Sequence, residues 1–177
     1  MRGAFQYRYE LLNKERGCIS AQVRHAAVIA AIYTINISIL VVLLYSWRIN
    51  INVKRAIDLQ DVYLGVQIAY FAIIGTQLLI VFLSIILLLG ILREDTALIS
   101  PWIVGFIALM AMEAVAMVYS NVLRDHVNKK FDTLCKIEVI FYISRSVLNI
   151  LAIIGVMKFY NLIRSGVSFK IPEAIEL

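Results

Sequence analysis

The chain has 177 residues, of which 62% are hydrophobic and 16% are charged. Soluble domains are about 45–50% apolar and about 25% charged, so this composition excludes an ordinary water-soluble domain. The net charge is +5, but the basic residues flank apolar stretches and form no stripe for nucleic acid, so we expect lipid headgroups as partners and no nucleic acid.

Four apolar stretches predict an all-α fold, an integral membrane four-helix bundle with short loops. A bilayer core of about 30 Å requires about 20 apolar residues in a helix, and backbone groups in lipid must be paired within the segment. We place the spans at about 25–47, 64–92, 98–122 and 137–158. They form a domain of residues 25–160 between two cytosolic tails, 1–24 and 161–177, which four spans put on the same side.

The N-terminal tail carries two candidate signals. Cys18 is a juxtamembrane thiol and therefore a candidate for S-palmitoylation, with an unmodified thiol as the alternative. Tyr9 and Leu12 fit a short tyrosine-based sorting pattern for cytosolic adaptors, although an apolar chain produces this pattern often by chance. The other cysteine, Cys135, is predicted on the opposite side of the membrane, so no disulfide within the chain is expected.

Small residues recur every four positions along the first span. Lipid gives helices no hydrophobic drive to associate, so interfaces between membrane helices favour small side chains. This stripe is a candidate contact surface, either inside the bundle or between chains. Its members are Ala26, Ala30, Thr34 and Ser38, with Ala27 and Ala31 extending the same face. The sequon that begins at Asn36 lies inside this span, so no N-glycan is expected there.

The connections and their flanks give weaker signals. Alternating apolar and polar residues between Ile49 and Val53 suggest a short extended segment. Arg93–Asp95 is predicted to be a tight turn. Aromatic residues near the predicted span ends favour an interfacial belt, with core aromatics as the alternative. These residues are Trp47, Tyr63, Tyr70, Trp102, Tyr119 and Tyr160.

Two charges fall inside predicted spans, Glu113 in the third and Arg145 in the fourth. A charge at the bilayer centre costs about 2.5–3.5 kcal/mol even on the lenient insertion scale. Both residues lie about 12–13 Å from the same face on neighbouring antiparallel helices, so we predict an intramembrane ion pair. Two alternatives remain: a proton or ion site at Glu113, or other polar partners. Those partners would be Gln77, Ser120, Ser144 or Asn149.

The basic residues favour cytosolic tails. The tail side and the middle loop carry nine Lys and Arg residues, and the opposite side carries seven, so the margin is slim.

No catalytic constellation is visible. His25 and His126 are isolated, and no CxxC, HExxH, GxSxG or phosphate-loop pattern occurs. We expect neither an enzyme nor a bound cofactor or metal.

Three segments carry a family resemblance. Gly17–Ala27 places a cysteine and an arginine ahead of the first span, Leu98–Trp102 opens the third span with Glu113 deeper in the helix, and Lys158–Leu162 ends the fourth. These segments and the span spacing resemble the lysosome-associated transmembrane tetraspan family and its arthropod relatives, over nearly the whole chain. Vertebrate members have several cysteines at the first-span entry, where this chain has one. They also carry proline-tyrosine motifs that recruit ubiquitin ligases. No such motif occurs in this sequence, so ligase recruitment is not expected.

The resemblance implies a membrane organiser or trafficking partner at an endolysosomal membrane or at a plasma-membrane cell junction, since arthropod tetraspans of this build include septate-junction components. We expect lateral contacts with other integral membrane proteins, and a homo-oligomer stays open. The alternative is a small oligomeric ion or proton transporter or channel that uses Glu113. A claudin-like adhesion protein ranks lower, because no cysteine-stapled loop is present.

Overall fold

Four long helices make up the part of the chain that the computed structural model describes. The described backbone covers residues 2–55, 60–128 and 133–166, and the described side chains cover 21–50, 64–123 and 136–166. The helices are α1 (Arg2–Arg55), α2 (Gln60–Arg93), α3 (Thr96–Asn128) and α4 (Thr133–Arg164). No strand occurs within these ranges.

Each helix contains a segment long and apolar enough to cross a membrane. The segments are Ala21–Asn50, Leu64–Arg93, Thr96–Leu123 and Lys136–Arg164. The predicted fold class, an all-α integral membrane bundle of four helices, is therefore confirmed. The predicted domain boundaries stay a prediction, since α1 runs from Arg2 through the proposed tail into the first span without a break.

The helices form a four-membered ring in which each packs against two neighbours. α2 lies between α1 and α3, and α4 contacts both α3 and α1, whereas the described parts of the diagonal pairs do not meet. Consecutive helices joined by short connections run antiparallel, as in up-down-up-down bundles. The end of the bundle at Ala21, Arg93 and Arg164 is called the tail end below, and the end at Asn50, Leu123 and Lys136 the far end.

The interior differs between the two ends. The half next to the tail end has an apolar core drawn from all four helices: Ala27, Ala31, Leu87, Ile91, Ile99, Trp102, Phe106, Val156 and Phe159. The half next to the far end has a smaller apolar cluster, Val41, Tyr45, Val66, Tyr70 and Ile73. Most of the buried polar side chains also lie in this far half: Gln77, Glu113, Ser120, Asn121, Glu138 and Arg145.

The connection between α2 and α3 is the tight turn predicted at Arg93–Asp95. The backbone N–H of Asp95 donates to the carbonyl of Gly90 at 3.0 Å, and Glu94 takes the left-handed conformation with φ 57°. This is a Schellman-type end, in which glycine is the usual left-handed residue. Asp95 Oδ1 then accepts from the N–H of Ala97 at 2.9 Å and caps α3.

The extended segment predicted at Ile49–Val53 is wrong, because α1 continues as a helix to Arg55. Five alternating residues carry little information. Each residue added to an existing helix gains a backbone hydrogen bond, whereas a lone strand has no partner.

The small-residue stripe is mostly inside the bundle. Ala30, Thr34 and Ser38 are buried, as are Ala27 and Ala31, whereas Ala26 is exposed and lies outside the buried part of the stripe. A helix repeats every 3.6 residues, so a strict spacing of four drifts around the surface and leaves the inward face at Ala26.

The aromatic belt is only partly correct. Trp47 and Tyr119 are exposed, but Tyr70 and Trp102 are fully buried core side chains. Trp102 stacks on Phe106 at 4.6 Å, and Tyr70 packs edge-on against Tyr45 at 5.2 Å. The side chain of Tyr63 lies outside the described residues.

Candidate functional site: two buried carboxylates

The first buried carboxylate joins three helices. Arg145 on α4 donates through Nη2 to Oε1 of Glu113 on α3, so the structure brings the predicted pair together. Gln77 on α2 donates through Nε2 to Oε2 of Glu113 at 2.7 Å. Glu113 and Arg145 are 2% and 4% exposed. Each carboxylate oxygen therefore has a donor inside the bundle, one charged and one neutral.

The depth of this pair follows from the helix ends. Glu113 lies ten residues before Leu123, and Arg145 lies nine residues after Lys136, which puts both about 14–15 Å from the far end. An acid and a base at one depth on antiparallel neighbours can meet without distorting either helix.

Arg145 also packs against two aromatic rings of its own helix. Its guanidinium carbon lies 6.0 Å from the ring centroid of Phe141 and 5.8 Å from that of Tyr142, within the range of cation–π attraction. Tyr142 in turn donates to the backbone carbonyl of Met110 on α3 at 3.4 Å. Tyr142 therefore connects one of the rings that Arg145 packs against to the backbone of α3.

Some polar atoms near the pair have no partner among the described residues. Arg145 Nε and Asn149 Oδ1 are buried without a hydrogen bond, and so is the hydroxyl of Tyr33. Asn149 lies one turn beyond Arg145 on the same buried face of α4. Asn149 was one of the alternative partners for the two charges, but Glu113 is bound by Gln77 and Arg145 instead.

A second buried carboxylate, Glu138 on α4, was missed by the sequence analysis. Tyr45 donates its hydroxyl to Glu138 Oε1 at 2.6 Å, and Arg48 donates through Nη1 to Oε2. Both donors are on α1, so this group joins α1 to α4. The guanidinium of Arg48 also lies 5.7 Å from the ring centroid of Tyr70 on α2.

Glu138 lies one residue inside the predicted fourth span, at the end of an apolar stretch where a charge is ordinary and gives no sign of burial. A usable signal was present. Glu138 and Arg145 are seven residues apart, two helical turns, so they share one face of α4. Arg48 falls one residue beyond the predicted first span, so the sequence alone indicates a loop residue there.

A third polar group lies in the tail half and involves no charge. Thr34 and Ser84 share a hydrogen bond of 2.9 Å between α1 and α2. Trp102 on α3 donates through Nε1 to the same Ser84 oxygen at 3.1 Å. The small-residue stripe thus carries one specific contact as well as close packing.

Of the other candidate residues with described side chains, Ser120 and Ser144 belong to none of these three groups. Ser120 donates to the carbonyl of Met117 one turn back, and Ser144 is exposed. Tyr9, Leu12 and Cys18 lie on the described backbone of α1, but their side chains are outside the described residues. No cluster of three His, Cys, Asp or Glu side chains suited to a metal ion occurs among the described residues.

The geometry defines a four-span integral membrane protein in which, among the described residues, a buried ion pair joins α3 to α4 and a partly buried ion pair joins α1 to α4. The family described as "Domain of unknown function (DUF4728)" matches residues 72–164, just over half of the chain, and the chain belongs to this family. The match includes Gln77, Glu113, Glu138 and Arg145 but not the α1 partners Tyr45 and Arg48. No curated protein and no solved structure matches the chain.

Proposed function

We propose that this protein is a multi-pass membrane organiser or trafficking partner that acts through lateral contacts with other integral membrane proteins. One observation carries the proposal: both buried carboxylates are bound by side chains of the same chain. A carboxylate with a donor on each oxygen serves to fix helices together. An ion site would need oxygens left open for a cation.

The outer surface supports the same proposal. Large apolar side chains point outward from every helix, including Leu43 on α1, Phe82 on α2, Val115 on α3 and Ile140 on α4. These faces are suited to lipid and to the helices of other membrane proteins. The short connections between spans make the helix faces the largest recognition surface of the described part.

The membrane in which the protein works is part of the proposal. The resemblance to lysosome-associated tetraspans and their arthropod relatives favours an endolysosomal membrane or a plasma-membrane junction. Adaptor binding at Tyr9 and Leu12 and lipidation of Cys18 belong to this proposal as routes to either membrane.

Photo-crosslinking in native membranes tests the lateral contacts. A photoreactive residue is placed singly at the lipid-facing positions Phe82, Val115 and Ile140, with buried Ile73 as the matched control. We expect discrete adducts with integral membrane proteins from at least one outer position and none from Ile73. Lipid adducts alone from all three outer positions would contradict the proposal.

A transporter or channel is the second candidate, because polar side chains and two carboxylates line the far half of the interior. Against it, the tail half is closed by the apolar core around Leu87, Trp102 and Phe159. Reconstituted vesicles distinguish the two functions. We expect no ion or proton flux above that of empty vesicles. Flux that disappears in the charge-neutral double variant Glu113→Gln/Arg145→Met would favour transport.

A further inference from the structure

An asparagine faces lipid at the middle of the first span. Asn36 lies at the centre of the segment Ala21–Asn50, and its side chain is exposed. Its Nδ2 donates to the carbonyl of Ile32 at 2.9 Å, but Oδ1 and the second amide hydrogen have no partner among the described residues. An amide without partners is costly in hydrocarbon, because no water is present to bind it.

No other helix places such a group at this depth. The exposed side chains at the centres of the other three spans are apolar, such as Leu79 on α2, Ala108 on α3 and Ile150 on α4. The exposed amide therefore marks one face of α1 as different from the rest of the lipid-facing surface.

The residues that share this face follow a heptad repeat. Alternating steps of three and four along α1 give six exposed positions, called the α1 seam: Ile29, Ile32, Asn36, Ile39, Leu43 and Ser46. Apolar residues at such spacing form the contact line between parallel helices. A single asparagine at one of these positions fixes the register and the number of strands at some cost in stability.

We infer that the α1 seam is a homodimer interface, in which Asn36 of one copy hydrogen-bonds to Asn36 of a second copy. Two copies that insert in the same orientation and are related by a two-fold axis along the membrane normal have parallel α1 helices. Such an axis pairs each residue with itself at the same depth. An amide holds both a donor and an acceptor, so two copies of Asn36 satisfy each other through Nδ2 and Oδ1.

A second copy fits this face better than an unrelated helix. An unrelated partner would need a polar side chain at the depth of Asn36 and apolar residues in the same register on either side. A second copy supplies both by symmetry. This inference rests on the proposed function and makes it more specific, because it names a second copy of the chain as one lateral partner.

Dimer formation in lipid vesicles is the direct test. Fluorescence energy transfer between labelled full-length chains, measured while lipid dilutes the protein, gives the dimer dissociation constant. We expect Asn36→Leu to raise this constant about threefold to thirtyfold, the range that interhelical hydrogen bonds in membranes support. Asn36→Gln keeps an amide and should stay closer to the wild type. The matched control Ser144→Ala removes a lipid-facing hydroxyl on α4 and should change nothing.

Cysteine crosslinking supplies an independent readout that does not depend on Asn36. On a background of Cys18→Ser and Cys135→Ser, we expect Ile32→Cys, Ile39→Cys and Leu43→Cys to form crosslinked dimers, and Ile140→Cys on α4 to form none. The inference fails if Asn36→Leu dimerises like the wild type, if crosslinks arise from α4 and not from α1, or if the chain stays monomeric. A monomer that still photo-crosslinks to other membrane proteins from Val115 would overturn this inference alone and leave the proposed function standing.

Discussion

Glu113 and Arg145 show how a charge becomes tolerable in lipid. Each would cost several kcal/mol alone in the bilayer interior, but together they form a neutral pair that Gln77 completes. The favourable part of this arrangement depends on both partners. Removal of one partner leaves the other charged, buried and unpaired. This state is more costly than the intact pair and more costly than a bundle from which both charges have been removed.

A double-mutant cycle on this pair should show strong coupling. We expect Glu113→Gln to lower the free energy of unfolding by about 3–5 kcal/mol, because it strands the charge of Arg145. Gln77→Leu should cost less, about 1.5–3 kcal/mol, because it removes one hydrogen bond and leaves the ion pair. The measurement is reversible unfolding in lipid bicelles.

The double variant Glu113→Gln/Arg145→Met tests whether the two side chains stabilise the bundle as a coupled pair. It removes both charges, so it should be more stable than Glu113→Gln alone. The single variant Arg145→Met closes the cycle: a loss in the double variant equal to the sum of the losses in the two single variants would mean that the two side chains contribute independently, in spite of their contact.

How far the sequence predicts a buried charge depends on its place in the apolar stretch. Glu113 and Arg145 were predictable as a pair, because each interrupts a long apolar run and the short connection sets both at one depth. Glu138 and Arg48 form an equivalent pair, but both sit at the ends of spans, where charges are ordinary. The hydrogen bond from Tyr45 was beyond sequence reasoning, since it depends on how α1 rotates against α4.

Glu94 carries backbone strain at the α2–α3 turn. Its φ of 57° lies in the left-handed region, which costs a residue with a Cβ about 1–2 kcal/mol and glycine almost nothing. We expect Glu94→Gly to be more stable to unfolding than Glu94→Ala by about 1 kcal/mol. The two variants lose the same carboxylate, so thermal unfolding of both isolates the backbone effect. A Glu94→Ala variant as stable as Glu94→Gly would rule the strain out.

Contacts between helices depend on glycine at several points of the α2–α3 interface. A Cβ added at Gly90 would lie 3.0 Å from Leu98 Cβ and 3.1 Å from Ile99 Cγ1. A Cβ is fixed by its backbone, so Leu98 can give way only if α3 itself moves. Gly75 lies on the same helix but is exposed, with nothing within 4 Å of a Cβ.

These two glycines give a matched comparison on one helix. Gly90→Ala should destabilise the bundle by about 1–3 kcal/mol, because it forces α2 and α3 apart at the turn. Gly75→Ala should stabilise it by about 0.5–1 kcal/mol, because alanine is the better helix former and meets no neighbour. The measurement is the shift in unfolding temperature in detergent. Stabilisation by both substitutions would show that Gly90 is not a close-contact position.

Gly90 and Gly75 also show which contacts between helices can be predicted from the sequence. The small-residue stripe on α1 identified the buried face through Thr34 and Ser38, whereas the close approach at Gly90 had no such signal. An isolated glycine in an apolar run is as compatible with an exposed site, such as Gly75, as with a contact. Only the packing of α3 against α2 separates the two.

For the molecule as a whole, the partly buried position of Arg48 strengthens the argument for the orientation of the protein in the membrane. The positive-inside rule counts basic residues in loops, where they contact headgroups. Arg48 is bound to Glu138 inside the bundle instead. Without Arg48 the far side keeps six basic residues against nine on the tail side, so the margin that favours cytosolic tails widens.

Thiol labelling would test this orientation. On a background of Cys18→Ser and Cys135→Ser, Arg93→Cys reports the tail side and Lys136→Cys the far side, since both positions are exposed at span ends. We expect a membrane-impermeant thiol reagent to label Arg93→Cys only after the plasma membrane has been permeabilised. Labelling of Arg93→Cys in intact cells would invert the topology and place the nine basic residues outside. Labelling of Lys136→Cys also shows whether the protein is in the plasma membrane or in an organelle membrane. Lys136→Cys should react in intact cells if the protein is at the surface, and only after full solubilisation if it faces an organelle lumen.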